Sequence, residues 1–304
     1  MTKRPIKNVA ASVHDRLLAK ARESNRRFDE LLRYFGMERF LYRLCMTPHA
    51  DRFILKGALM FRVWQVDVPR PTLDIDLLGR PSVVTEVETV VREVCQLKIT
   101  PNDGLLFDPE SVKTAPRAER ADFTGIRASF LGRLVNARIP MQIDIGFGTV
   151  YPAPVMVDLP TILDFPPPRL QGYTRESAVS EKLEAMVKLE ILNSCMKDFF
   201  DIWLLSQRFA FDGYRLSRAI SETFSRRRTS IPAEPVALTA TFAEDSSKVA
   251  QWRAFSRKQQ LGQFVPESLR KVIDGVAAFL KPVTRTLAVG DRFQGTWPPG
   301  GPWR

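Results

Sequence analysis

Residues 73–79 read Leu-Asp-Ile-Asp-Leu-Leu-Gly, an acidic pair set into an apolar run. In an extended strand successive side chains point to opposite faces, so Asp74 and Asp76 share one face. Leu73, Ile75 and Leu77 take the other face and can enter a core. Two carboxylates side by side on such a strand repel each other and are costly to bury unless a cation lies between them. Magnesium suits the pair, because it is a hard ion that prefers carboxylate oxygens and keeps coordination sites for phosphates. An isolated pair of this kind is equally at home as solvated acids near a strand end, so the weight rests on what accompanies it.

Upstream, Phe53, Ile54 and Leu55 give way at Lys56-Gly57 to a helical pattern from Ala58 to Trp64. A glycine at a helix start lets backbone amides approach an anion, and the helix dipole favours phosphate there. Lys56, Gly57 and Ala58 are therefore candidate nucleotide contacts, as is Arg70, bracketed by Pro69 and Pro71. Downstream, in residues 138–148, Ile139, Met141, Ile143, Ile145 and Phe147 line one strand face and Gln142, Asp144 and Gly146 the other. Beside Asp74 and Asp76, Asp144 would complete a three-carboxylate site able to hold two cations; the alternative is a polar residue on an edge strand. A phosphate cradle followed by an acidic pair on the next strand is the working part of a nucleotidyltransferase.

Composition narrows the class. At 304 residues, 44% apolar and 26% charged, the chain can build one large domain or two ordinary ones. No apolar run reaches the roughly 20 residues that cross a bilayer, and the N-terminus lacks the apolar stretch of a signal peptide. Cys45, Cys95 and Cys195 are scattered without metal or redox spacing, and read as thiols in a reducing cytoplasm. With only His14 and His49, a histidine-based zinc site is excluded in practice. A net charge of +11 favours a polyanionic partner, nucleic acid before membrane.

The periodicities predict an α+β protein, with strands and a small mixed sheet in the first half, then a helical C-terminal lobe. Helices are expected over 12–24 with Ser12 as N-cap, over 28–45 and over 85–97. Strands are expected at 98–100, 105–107, 123–130 and 137–147. The core with its leading helices is assigned to 1–151 and a proline-rich crossover to 152–175. The helical lobe takes 176–281, and a flexible tail 282–304. In the lobe Ser180 is expected to cap a helix with Lys182 in its first turn, where a nearby anion would ease its position against the dipole. Asp198 and Asp201 lie three apart on one face of the next helix. Trp252 and Phe255, interleaved with Arg253, Arg257 and Lys258, have the pattern of a single-stranded nucleic-acid groove or of an ordinary amphipathic helix.

The segments FILKGALMF, RPTLDIDLLG, QIDIGFG, SEKLEAMVKLEILN and MKDFFDIW together resemble the AbiEii/AbiGii nucleotidyltransferase toxin family, over most of the chain and in the right order. The resemblance implies a minimal polymerase-β-like core and a toxin of a bacterial toxin–antitoxin or phage-defence system. It also implies an antitoxin from the neighbouring gene and, in some members, transfer of a nucleotide from a nucleoside triphosphate to the tRNA 3′ end. Carried over residue by residue, it makes Asp74 and Asp76 metal ligands and puts Asp144 at the third carboxylate. Lys182 becomes the triphosphate lysine and Asp198 the catalytic Asp of the KD-x-x-D segment, which either orients Lys182 or contacts the nucleotide, with Asp201 as a nucleotide-binding candidate; Lys182→Ala is expected to abolish transfer and leave the melting temperature nearly unchanged. Two magnesium ions and a cytoplasmic location are expected. Ala58 stands where many relatives carry Gly or Ser, so a hydroxyl contact to phosphate is missing.

Overall fold

The computed structural model describes residues 8–66, 72–119, 123–258, 266 and 268–304, and divides into two compact units. The first comprises residues up to 149 together with 155–173; the second comprises 150–154 and 174–304.

The first unit is built on one mixed seven-stranded sheet. Its elements are α1 (Val9–Glu23), α2 (Phe28–Cys45), β1 (Phe53–Lys56), α3 (Leu59–Val63), β2 (Ile75–Gly79), α4 (Val87–Gln96), β3 (Leu106–Glu119), β4 (Phe123–Leu134), β5 (Ala137–Phe147), β6 (Val155–Asp158) and β7 (Arg169–Gly172). The strand order is β3-β4-β5-β2-β1-β7-β6, which sets the acidic strand β2 at the centre. It runs parallel to β5 and antiparallel to β1. Helices cover one face. Val87, Val90, Val91 and Val94 recur at helical spacing along α4 and are all buried. Phe40 of α2 meets Phe107 and Phe130 of the sheet at ring separations of 5.7 and 5.0 Å. Each such buried apolar side chain contributes about 1.5–3 kcal/mol. Gly36 lets α2 ride close over β5, since a Cβ there would lie 2.9 Å from Met141 Sδ.

Several expectations change here. Helix α1 starts at Val9 with Asn8 as its cap, because the Asn8 side chain accepts from the Ala11 amide; Ser12 is inside the helix. Residues 98–100 form no strand. Instead the adjoining loop buries Asp103 between Arg39 and Arg43, an ion-pair cluster that sequence periodicity cannot register. Leu73 is 56% exposed because β2 begins only at Ile75. The proline-rich segment is more than a crossover: it supplies β6 and β7, and β7 pairs parallel with β1.

The second unit contains α5 (Arg175–Leu189), α6 (Met196–Arg208), β8 (Phe211–Asp212), α7 (Gly213–Arg226), α8 (Ala240–Glu244), α9 (Ser246–Lys258), α10 (Leu269–Ala288) and β9 (Thr296–Trp297). The tail expected to be flexible from 282 is packed. Helix α10 continues through Pro282 because Val283 and Thr284 are fully buried beyond it. Trp297 and Trp303 then stack around Phe279, and their indole N–H groups donate to the carbonyls of Ser206 and Phe279. Proline content marked this stretch as loose, while the tryptophans anchor it.

Candidate active site

The sheet register assembles the acidic cluster. Asp76 of β2 lies directly opposite Asp144 of the parallel strand β5, so both side chains project from the same face. Asp74, two residues before Asp76, projects there as well. One carboxylate oxygen from each of the three lies within 4.8 Å of the others. Asp74 and Asp76 are half-buried and Asp144 is 1% exposed. All donors are hard anionic oxygens, which fits magnesium or manganese rather than a thiophilic ion. On the other side of β2, Lys56 of β1 is the cross-strand partner of Asp76.

Gly57, which follows Lys56, has a specific reason to be glycine. Its φ of +71° is in the left-handed region, and a Cβ there would lie 2.7 Å from both Cβ and Cγ of Asp76. The backbone turn between β1 and α3 thus abuts the acidic strand, and a side chain would displace the Asp76 carboxylate. Ala58 follows as the N-cap of α3, without a hydroxyl to offer. Arg70 lies outside the described residues.

The sequence did not single out two arginines at this site. Arg127 of β4 stands opposite Asp144 in the ladder and forks onto it, Nε to Oδ1 at 2.7 Å and Nη2 to Oδ2 at 3.0 Å. Arg117 of β3 also pairs with Asp144 Oδ2 through Nη1. The bond to Asp144, reinforced by the fields of Asp74 and Asp76, holds the Arg127 guanidinium above even its usual basicity. Alternation along 123–130 puts Arg127 on the polar face of its strand, but which strand it meets is a matter of tertiary register. Pro116 and the Asp108-Pro109 step hid the length of β3.

A family pattern described as the nucleotidyl transferase AbiEii toxin of a type IV toxin–antitoxin system matches residues 39–274. The chain belongs to this family. It is thereby a nucleotidyltransferase toxin of a type IV system, and the family implies an antitoxin partner. Among solved structures, a Helicobacter pylori protein provisionally assigned to the nucleotidyltransferases is 14% identical. That likeness covers 86% of this chain and 96% of the other, with a TM-score of 0.46. JHP933 from Helicobacter pylori is 10% identical over 86% of this chain and 94% of its own, with a TM-score of 0.42. No curated protein matches. No helix among the described residues is long and apolar enough to cross a membrane.

The remaining expected site residues form a cluster of their own in the second unit. Lys182 Nζ sits 2.6 Å from Asp198 Oδ1 and 2.8 Å from Asp201 Oδ2. Burial pushes the Lys182 ammonium towards neutrality, but the two aspartates outweigh it and hold its pKa above the ordinary lysine range. Burial likewise raises Asp198, and Lys182 more than reverses the shift. Lys182 is therefore a fixed positive charge and no proton shuttle. It lies mid-helix, because α5 starts at Arg175 under a Thr174 cap, so the argument from the helix dipole falls away. Ser180 instead bonds to Thr223 inside the unit. Trp252 is fully buried against Phe255 and cannot stack on a base, although Arg253, Arg257 and Lys258 are exposed.

Proposed function

We propose that this family member transfers a nucleoside monophosphate from a nucleoside triphosphate to an RNA 3′-hydroxyl, with the tRNA 3′ end as acceptor, and so blocks translation. The observation that carries the reading is the convergence of Asp76 and Asp144, on adjacent strands, and Asp74, just before β2, within 4.8 Å, with Gly57 pressed against Asp76. Three carboxylates so close repel one another by about 3 kcal/mol per pair at a typical effective dielectric, which a divalent cation relieves. Asp74, Asp76 and Asp144 would hold magnesium, in a two-ion arrangement. Bound there, it would acidify the attacking hydroxyl and neutralise the pyrophosphate leaving group. Asp144 is the candidate general base, provided its arginines release it. Lys56 and the Gly57 and Ala58 amides are offered to the nucleotide, and Lys182, gripped by Asp198 and Asp201, to the triphosphate. The chain's net charge of +11 favours a polyanionic acceptor over a protein or small molecule. Action in the cytoplasm, alongside tRNA and the antitoxin, and a role in phage defence belong to the same proposal.

The test incubates the protein with magnesium, total bacterial tRNA and each labelled nucleoside triphosphate in turn, with Asp76→Ala as control. Label on tRNA from one nucleotide, absent with the variant, is the expected result. Label on protein or on a small-molecule pool would replace the acceptor. No label under any condition would overturn the catalytic reading in favour of a nucleic-acid-binding protein.

A further inference from the structure

Asp144 is the most buried of the three carboxylates, yet its oxygens are already engaged. Arg127 takes both, Arg117 shares Oδ2, and Gln142 Nε2 stands 3.5 Å from the same atom. A carboxylate offers about four lone-pair positions, so these donors nearly saturate it. The crowding falls on Oδ2, so a cation that takes both oxygens of Asp144 must displace a donor, and one on Oδ1 alone would share that oxygen with the Arg127 guanidinium. Arg127 is the better placed to yield, since its side chain is 41% exposed against 30% for Arg117. A released guanidinium next to a bound triphosphate has an immediate partner, because its planar fork matches phosphate oxygens as well as carboxylate.

We propose that Arg127 is a positioning residue that closes Asp144 to divalent cations until a nucleotide triphosphate gives its guanidinium another partner, so that cation and nucleotide bind as a coupled pair. The inference rests on the reading of the triad as a cation site. Charge supports the coupling. Three carboxylates are balanced in part by Arg127 and Arg117, and a lone divalent cation added to that set gains little. A cation arriving with a polyanionic triphosphate restores the balance and frees Asp144 at the same time. A guanidinium that merely oriented a ligating carboxylate would behave in the opposite way, since loss of such a supporting group weakens metal binding.

The experiment measures Mn2+ binding to the full chain by electron paramagnetic resonance, with and without a non-hydrolysable nucleoside triphosphate analogue. Wild type is compared with Arg127→Gln, Arg127→Lys and Asp76→Ala, and circular dichroism monitors the fold. Without nucleotide, Arg127→Gln should bind Mn2+ about tenfold more tightly than wild type, because the guanidinium fork that competes for both Asp144 oxygens is gone. The analogue should tighten Mn2+ binding to wild type markedly and to Arg127→Gln hardly at all. Unchanged or weaker Mn2+ binding by Arg127→Gln overturns the proposal. Should that variant fail to fold, Arg127→Lys carries the test: it keeps the charge but loses the fork, and its Mn2+ affinity should exceed that of wild type. If Asp76→Ala binds Mn2+ as well as wild type does, the triad is not the cation site, and the underlying reading fails with the proposal.

Discussion

Replacing Gly57 by alanine separates backbone strain from damage to the acidic strand. The residue adopts φ +71°, a conformation that costs a side-chain-bearing residue about 1–2 kcal/mol. The added Cβ would also come within 2.7 Å of Asp76 Cβ and Cγ. Neither the turn nor β2 can absorb that without moving the carboxylate, since both are fixed by the ladder that pairs Lys56 with Asp76. Together the two effects should destabilise the protein by about 2–4 kcal/mol. A displacement of the Asp76 oxygens approaching 1 Å should lower transfer by about a hundredfold or more. Two glycines with similar backbone serve as controls. Gly104 has the same φ, and its Cβ would meet the Ala10 backbone at 2.6–2.8 Å, away from the triad. Gly290 has φ +81° and nothing within 4 Å. Gly104→Ala should lose comparable stability, and Gly290→Ala should lose the strain alone, and both should keep transfer activity once measured below their melting temperatures. Differential scanning calorimetry and the labelled-nucleotide assay supply the two axes. Wild-type transfer by Gly57→Ala, or an equal loss in Gly104→Ala, would refute the placement of Gly57 against a working Asp76.

The other ionic clusters allow sharper expectations than sequence did. Lys182→Met leaves Asp198 and Asp201 buried at 5% and 1% exposure without their cation, so urea unfolding should show a loss of about 3–5 kcal/mol, not the unchanged stability expected of a surface triphosphate ligand. Asp103→Ala strands Arg39 and Arg43, exposed by 0% and 4%, and should cost a similar amount on the same assay. Glu38 is fully buried, and desolvation pushes its carboxyl up to about 8 despite the Ile162 amide donating to Oε2. Between about pH 4.5 and 8 the folded state therefore holds a proton that the unfolded state has lost, and stability contributed by the neutral acid falls as pH rises. Glu38→Gln should remove that slope, gaining a few kcal/mol over wild type at pH 8 and almost nothing at pH 4.5 in parallel denaturation series.

What the sequence made legible is what repeats locally. Alternation along 137–147 located β5 to the residue, and valine spacing located α4, because both elements bury a periodic face. The acidic triad was legible for the same reason: Asp74, Asp76 and Asp144 interrupt apolar strands on their polar faces. The arginines that grip Asp144 were not, because a register between β4 and β5 has no local signature. The packed tail was lost to a rule about proline that tertiary burial of Val283 and Thr284 overrides. Lys182, Asp198 and Asp201 were all named from the sequence, while the ion pairs that join them emerged only when α5 and α6 were seen side by side.

The long meander β3-β4-β5 gains a purpose from this arrangement. Without β3 and β4 the triad would be three carboxylates crowded on a sheet face, tolerable only with metal bound, and the fold would depend on the cation. By delivering Arg117 and Arg127 to Asp144 the meander supplies that compensation from the chain itself. The fold should then be indifferent to chelation: EDTA should abolish transfer yet move the melting temperature by no more than about 1 °C, under the roughly 2–4 °C expected for 1 kcal/mol in a domain of this size. Magnesium alone should shift it little. Magnesium with a nucleotide analogue should raise it in proportion to the logarithm of ligand excess, about 2.7 kcal/mol at a hundredfold excess over Kd. In an Arg117→Gln, Arg127→Gln double variant the dependence should reverse, with EDTA lowering the melting temperature and magnesium alone restoring it. A wild-type protein that unfolds on chelation would show that the arginines do not carry the charge of Asp144.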